Sequence, residues 1–272
     1  MPYLRDEIYY EVYGEGRPLV LIHGAWASHE WWRMQIPELS KYYKVVAMDV
    51  RGHGKSARLE KPTTVEKLAE DLDMLLDHLK VDEVVMIGWS MGGMISTQYY
   101  FMHPEKVKAL ILLASRLFKR PRMLLEAYLR VWREMLTVFM DFADYEGFES
   151  TKYEDFVRRE LEKSFHPNTP REVIEWAVRD LTENRRRDYL NLVKTLSRYD
   201  ASKKLGEIKV PTLIIAGDRD DRVPLDYVKR AKEMIPNSKL IILEGYGHYF
   251  LLEAPERVNK EILEFLRSIG YY

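Results

Sequence analysis

The sequence predicts an α/β protein: a mostly parallel sheet with helices on both faces. Short, continuous apolar runs recur along the chain, as strands covered on both faces require. Amphipathic helical patterns separate most of them, which is how parallel strands are joined. One long stretch keeps the helical patterns but holds no buried strand, so it reads as an insertion.

In chain order, residues 8–13 form the first strand, closed by Gly14 and Gly16. Apolar runs follow at 19–22, 45–48, 84–87, 110–113, 213–216 and 240–243. Thr63-Thr64-Val65-Glu66 reads as a capping box, and Leu68, Leu72, Leu75, Leu76 and Leu79 continue one apolar stripe. A second helix spans about 91–102 and stops before Pro104. A last helix begins near Pro255, with Val258, Ile262, Phe265 and Leu266 on one side. The rhythm breaks from about 118 to 199. Apolar residues there include Met123, Leu124, Trp132, Met135 and Phe139, and further helices are expected near 154–161 and 171–181. The expected division is a core of 1–117 and 200–272 and a helical cap of 118–199. The run Arg185-Arg186-Arg187-Asp188 reads as a solvated helix face.

The chain has 272 residues, a formal net charge of -1 and no cysteine. That length buries a large core. Near-zero charge argues against a broad nucleic-acid or acidic-membrane surface. Without cysteine there is no disulfide, thiolate nucleophile or cysteine–zinc site. Residues 1–7 carry no apolar signal core, and no apolar run reaches the ~20 residues of a membrane span. A cytoplasmic location is therefore expected. The abundant Lys, Arg and Glu lean toward a heat-adapted source.

Gly88-Trp89-Ser90-Met91-Gly92 fits the G-x-S-x-G nucleophile elbow, directly after one apolar run and directly before a helix. A turn that tight needs glycine at its flanks. It strains Ser90, exposes the hydroxyl, and leaves the Met91 amide at a helix N-terminus, ready to donate to a negative oxygen. A serine hydroxyl needs a base. Among seven histidines, His248 follows a strand end and faces the same sheet edge as Ser90. His23 is expected to shape its loop through hydrogen bonds, and the Gly-rich loop around His53 to support the site. His29, His78, His103 and His166 read as helix or surface residues. No histidine pair has metal-binding i, i+4 spacing and no HExxH occurs, so neither metal nor cofactor is expected. The third member is a carboxylate, and Asp218, Asp220 and Asp221 after the run at 213–216 are all candidates. Gly24 lets the backbone approach a substrate, and the Ala25 amide is the expected second oxyanion donor. Trp26 and Trp89 flank the reactive backbone and are expected to line an apolar pocket. Trp31 and Trp32 are expected in packed core or on a helix surface.

Taken together, these motifs resemble the α/β-hydrolase superfamily over nearly the whole chain. The carriers are Leu21-Ile22-His23-Gly24-Ala25, Asp49-x-Arg51-Gly52-His53-Gly54-x-Ser56, Gly88-Trp89-Ser90-Met91-Gly92-Gly93, Gly217-x-x-Asp220-x-x-Val223-Pro224 and Gly247-His248. The resemblance implies a sheet of about eight strands with a helical cap. It selects Asp220 as the acid and Ala25 and Met91 as oxyanion donors. The chain is similar to the small carboxylesterase, perhydrolase and cofactor-free haloperoxidase branch, and to carbon–carbon bond hydrolases of ring-cleavage pathways. Ser90 argues against the related enzymes that use an aspartate nucleophile.

The expected function is hydrolysis of small to medium apolar carboxylic esters through a Ser90 acyl-enzyme, with a small-molecule ester as partner. The alternatives are carbon–carbon, lactone or amide hydrolysis on the same triad, or a ligand-binding protein with vestigial turnover. A ring-cleavage substrate needs a cation for its carboxylate, and Arg116 is a candidate. Oligomeric state is not legible in the sequence.

Overall fold

Strand Pro18–Ile22 sends Leu19 and Leu21 to one face and Val20 and Ile22 to the other, and all four are fully buried. The same alternation recurs in its neighbours, which is why these strands read as unbroken apolar runs. In this computed structural model, residues 2–119 and 151–272 are described. The strands are β1 (Tyr3–Leu4), β2 (Ile8–Tyr13), β3 (Pro18–Ile22), β4 (Lys44–Met48), β5 (Val84–Trp89), β6 (Val107–Leu113), β7 (Thr212–Gly217) and β8 (Ser238–Leu243). They form one sheet in the order β1-β2-β4-β3-β5-β6-β7-β8. β2 is antiparallel to β1 and β4; all other neighbours are parallel. The expected mostly parallel, eight-stranded α/β-hydrolase sheet is therefore present. Because β3 has β4 on one side and β5 on the other, the order reverses there, and the crevice at the strands' carboxyl ends opens at that point.

Among the described residues the α-helices are α1 (Ile36–Leu39), α2 (Val65–His78), α3 (Met91–Met102), α4 (Thr151–Ser164), α5 (Arg171–Ser197), α6 (Leu225–Met234), α7 (Phe250–Glu253) and α8 (Pro255–Ser268). Leu68, Leu72, Leu75 and Leu76 of α2, Met94 and Ile95 of α3, and Tyr227 and Val228 of α6 enter one core. Val258, Ile262, Phe265 and Leu266 of α8 enter the other, on the stripe read from the sequence. The start of α2 differs by one residue from the expected capping box. Thr64, not Thr63, caps it, accepting from the Lys67 amide at 3.2 Å, while the Thr63 amide donates to Thr195 Oγ1 at 3.0 Å.

Between β6 and β7 lie α4 and α5. α5 runs to Ser197, well past the expected end near 181, and contains the 185–188 charge run. At 27 residues it is roughly 40 Å long. Its Ala177, Val178 and Leu181 belong to the α8-side core, whereas Leu192 belongs to the α2-side core. The helix thus crosses from one face of the sheet to the other. The apolar residues Met123, Leu124, Trp132, Met135 and Phe139 lie outside the described residues.

Candidate active site

β5 ends at Trp89 and α3 begins at Met91, so Ser90 alone makes the turn, at φ 53° and ψ −111°. A non-glycine residue there is strained by roughly 1–3 kcal/mol, and the surrounding packing must hold it. That packing is visible. The Ser90 amide donates to the Leu113 carbonyl at 2.8 Å, and the Ser90 carbonyl accepts from the Gly93 amide at 3.1 Å. A Cβ on Gly88 would stand 2.4 Å from the Gly92 backbone, and one on Gly92 would stand 1.9 Å from the Ile22 carbonyl oxygen. Only glycine lets β5, α3 and β3 approach this closely. Ser90 remains partly exposed between buried Trp89 and Met91.

His248 and Asp220 meet Ser90 at this edge. His248 Nε2 lies 3.1 Å from Ser90 Oγ, and His248 Nδ1 lies 2.7 Å from Asp220 Oδ2. With Asp220 ionised, Nδ1 carries the proton and Nε2 faces the hydroxyl as an acceptor. The other carboxylate oxygen, Oδ1, accepts from the Arg222 and Val223 amides, each at 2.8 Å. Asp220 and His248 are both buried. The other two candidate acids are engaged differently. Asp218 accepts from the Gly245 amide at 2.7 Å and braces the histidine loop; Asp221 accepts from Ser164 Oγ at 3.4 Å. The two glycines of that loop serve different needs: Gly245 takes a left-handed φ of 85°, while Gly247 allows close contact, since a Cβ there would meet the Ser164 carbonyl oxygen at 2.2 Å.

The turn after β3 is held by His23. Its Nδ1–H donates to the Gly24 carbonyl at 2.7 Å, and its Nε2 accepts from the Val50 amide at 3.0 Å. Burial, with the nearby His53 charge, pushes its pKa down to about 3 and keeps it neutral. The sequence-based expectation that His23 shapes this loop agrees with these bonds. Trp26 adopts φ 62° and Ala25 precedes it, both partly buried. Across the crevice, the Met91 amide is the first of α3, a position with no intrahelical acceptor.

Trp89 is not a pocket wall. It is 2% exposed, and its indole stacks on fully buried Trp31 with centroids 4.9 Å apart. It presses on the turn after β3, since a Cβ on Gly24 would be 2.7 Å from the ring. The reason is strand alternation: Val85, Ile87 and Trp89 share one face of β5 and enter the same core. Trp89 therefore forms a floor beneath the site. Trp26, half-buried, packs against both cores.

His29, read from the sequence as a helix or surface residue, is 4% exposed. Its Nδ1 pairs with Asp49 Oδ1 at 2.8 Å, and the same oxygen accepts the His29 amide at 2.6 Å. No sequence spacing announces a partner 20 residues away. Arg116, the candidate cation, donates to the Leu196 carbonyl at 2.8 Å in the last turn of α5. Burial pulls its pKa down. Among the described residues no cluster of three or more metal-ligating side chains occurs, and no helix is long and apolar enough to cross a membrane.

A strained serine at a strand–helix elbow, with a histidine and an acid from later strand ends, defines the class. The chain belongs to the α/β-hydrolase fold family, whose model matches residues 17–255. It is 29% identical over 266 residues to the AB hydrolase superfamily protein YisY of Bacillus subtilis, covering 96% of each chain. It is 26% identical to the bifunctional esterase/perhydrolase DCH of Acinetobacter calcoaceticus, again over 96% of each. Among solved structures it resembles a thermophilic esterase from Thermogutta terrifontis, with TM-score 0.81, 25% identity, and 96% and 93% of the two chains covered. Family and relatives support a hydrolase.

Proposed function

We propose that this hydrolase cleaves carboxylic esters of small to medium apolar acyl groups through a Ser90 acyl-enzyme. The observation that carries the reading is the continuous chain from Ser90 Oγ through His248 to Asp220, at 3.1 and 2.7 Å. Ser90 Oγ attacks the ester carbonyl and its proton passes to His248 Nε2. Asp220 holds the ring and stabilises its positive form. The tetrahedral oxygen accepts from the Ala25 and Met91 amides, each worth about 3–4 kcal/mol in comparable sites. Collapse expels the alkoxide, which takes the proton from His248 and leaves as alcohol. Water then attacks the acyl carbon, again giving its proton to His248. The acid departs and Ser90 is reprotonated.

In this reading α5, with the rest of 118–199, is a cap over the site. The crossing of α5 from one core to the other supports it. The esterase/perhydrolase among the relatives and the esterase among the solved structures support an ester substrate. The test is turnover of activated esters of increasing acyl length by the wild type and Ser90→Ala. Ester hydrolysis that vanishes in the variant supports the reading; a wild type inert toward every ester would refute it.

A further inference from the structure

Trp31 is fully buried, yet its indole N–H needs an acceptor, and it finds one outside the core sheet and helices. Asp180, on α5, accepts from Trp31 Nε1 at 2.6 Å through Oδ2 and from Ser28 Oγ at 3.2 Å through Oδ1. Ser28 is itself the N-cap of the short helix His29–Trp32, so Asp180 grips the far end of the turn that begins at Gly24. The grip continues inward. Trp31 stacks on Trp89 with a 17° interplanar angle, Trp89 packs under Gly24, and its Nε1 donates to the His248 carbonyl at 3.1 Å. At its other end α5 is fastened by Asn191 to the Leu59 carbonyl at 2.8 Å and by Thr195 to the Thr63 amide at 3.0 Å. The helix is therefore pinned on both sides of the crevice.

We propose that Asp180 is a positioning residue, through which α5 sets the Gly24–Ala25 turn and the His248 backbone by way of the stacked pair Trp31–Trp89. Its bearing on turnover rests on the serine-hydrolase reading above; the relay itself does not. A carboxylate suits the task because one side chain accepts from two donors and fixes the indole plane, which in turn fixes the floor under both reacting groups. The segment read from the sequence as a helical cap then has a task of its own, holding the catalytic geometry.

The test uses full-length protein labelled with ¹⁵N, in which the six tryptophans give indole N–H signals assignable with single Trp→Phe variants. Asp180→Ala is expected to move the Trp89 indole signal as well as that of Trp31. It should lower kcat about ten- to hundredfold while KM stays within about twofold, as for a small misplacement of reacting groups. A boronic acid that mimics the tetrahedral state should weaken in step with kcat/KM. Asp180→Asn should recover most of the activity, since its amide oxygen accepts from Trp31 while its NH₂ donates to Ser28. If Asp180→Ala fails to fold, Asp180→Leu, close in volume but without an acceptor, removes the same hydrogen bond with the Trp31–Trp89 stack left in place and must move the Trp89 signal alike. An unmoved Trp89 signal overturns the relay whatever the nucleophile proves to be. Unchanged kcat, or an Asn variant no better than Ala, overturns the positioning role. Turnover retained by Ser90→Ala would instead overturn the serine-hydrolase reading and leave the indole shifts to decide the relay.

Discussion

Trp89 Nε1 donates to the main-chain carbonyl of His248 at 3.1 Å, so the residue before the elbow serine holds the backbone of the residue whose ring faces that serine. The floor and the His248 loop are thus one unit. Trp89→Phe keeps the apolar bulk but leaves that buried carbonyl without its partner, a loss of about 1–3 kcal/mol. A thermal melt should register it, with kcat falling alongside. An unchanged melt would mean that the carbonyl finds another donor.

Asp220→Asn should be the most damaging change among the three neighbouring aspartates. The Asp220 carboxylate faces the imidazole, whereas Asp218 braces the Gly245 amide and Asp221 meets Ser164. In the proposed mechanism the amide favours the wrong imidazole tautomer, and a comparable change in a serine protease costs about 10⁴ in turnover. Steady-state rates of the three Asn variants on one activated ester decide it. Greater damage from Asp218→Asn would reassign the acid.

Gly92→Ala should destabilise the fold as well as abolish turnover. Its Cβ would stand 1.9 Å from the Ile22 carbonyl oxygen, a backbone atom of β3 that cannot swing aside. Overpacking of this kind costs about 1–3 kcal/mol or more. Denaturant unfolding measures the loss, and wild-type stability in the variant would contradict so close an approach of α3 to β3.

Stability against pH separates two buried histidines with opposite signs. His23, driven down to about 3 mainly by burial, stays neutral in the fold while the unfolded chain takes up a proton near histidine's ordinary 6.5. Its contribution is complete above 6.5 and is lost as pH falls below that value, by at most about 1.4 kcal/mol per pH unit. For His29, burial alone pushes the pKa down, but the Asp49 hydrogen bond and the charges of Asp49 and Glu11 outweigh it and leave the value raised. Its contribution is complete below 6.5 and is lost as pH rises through the folded pKa. Melting scans should show His23→Gln flattening the acid limb and His29→Gln flattening the limb above 6.5. An acid limb unaltered in His23→Gln would contradict this.

What the sequence made legible follows from where the physics is local. β3 to β7 announce themselves because both faces are covered, which leaves little polar interruption, whereas β8, at the sheet edge and mostly half-buried, is legible from its apolar run 240–243 alone. β1 does not, since two residues carry no periodicity. The elbow around Ser90 is readable because its glycines are demanded by contacts within a few residues and with the adjoining strand. The start of α2 is ambiguous between two threonines until Thr195 engages one amide. Trp89 was readable in principle: the alternation Val85, Ile87, Trp89 already assigns it to a core face. Asp180 was not, because a polar residue on an amphipathic helix gains its meaning only from Ser28 and Trp31, about 150 residues away.

The nucleophile is tested most directly by covalent labelling. A fluorophosphonate is added to the wild type, Ser90→Ala and His248→Ala, with intact mass and residual ester turnover followed together. The account predicts one adduct per wild-type chain, mapped to the peptide containing Ser90 and formed in proportion to lost activity. It predicts no adduct in Ser90→Ala and slow labelling in His248→Ala, whose hydroxyl lacks its base. Loss of activity with the adduct on another residue, or wild-type turnover by Ser90→Ala, would contradict it.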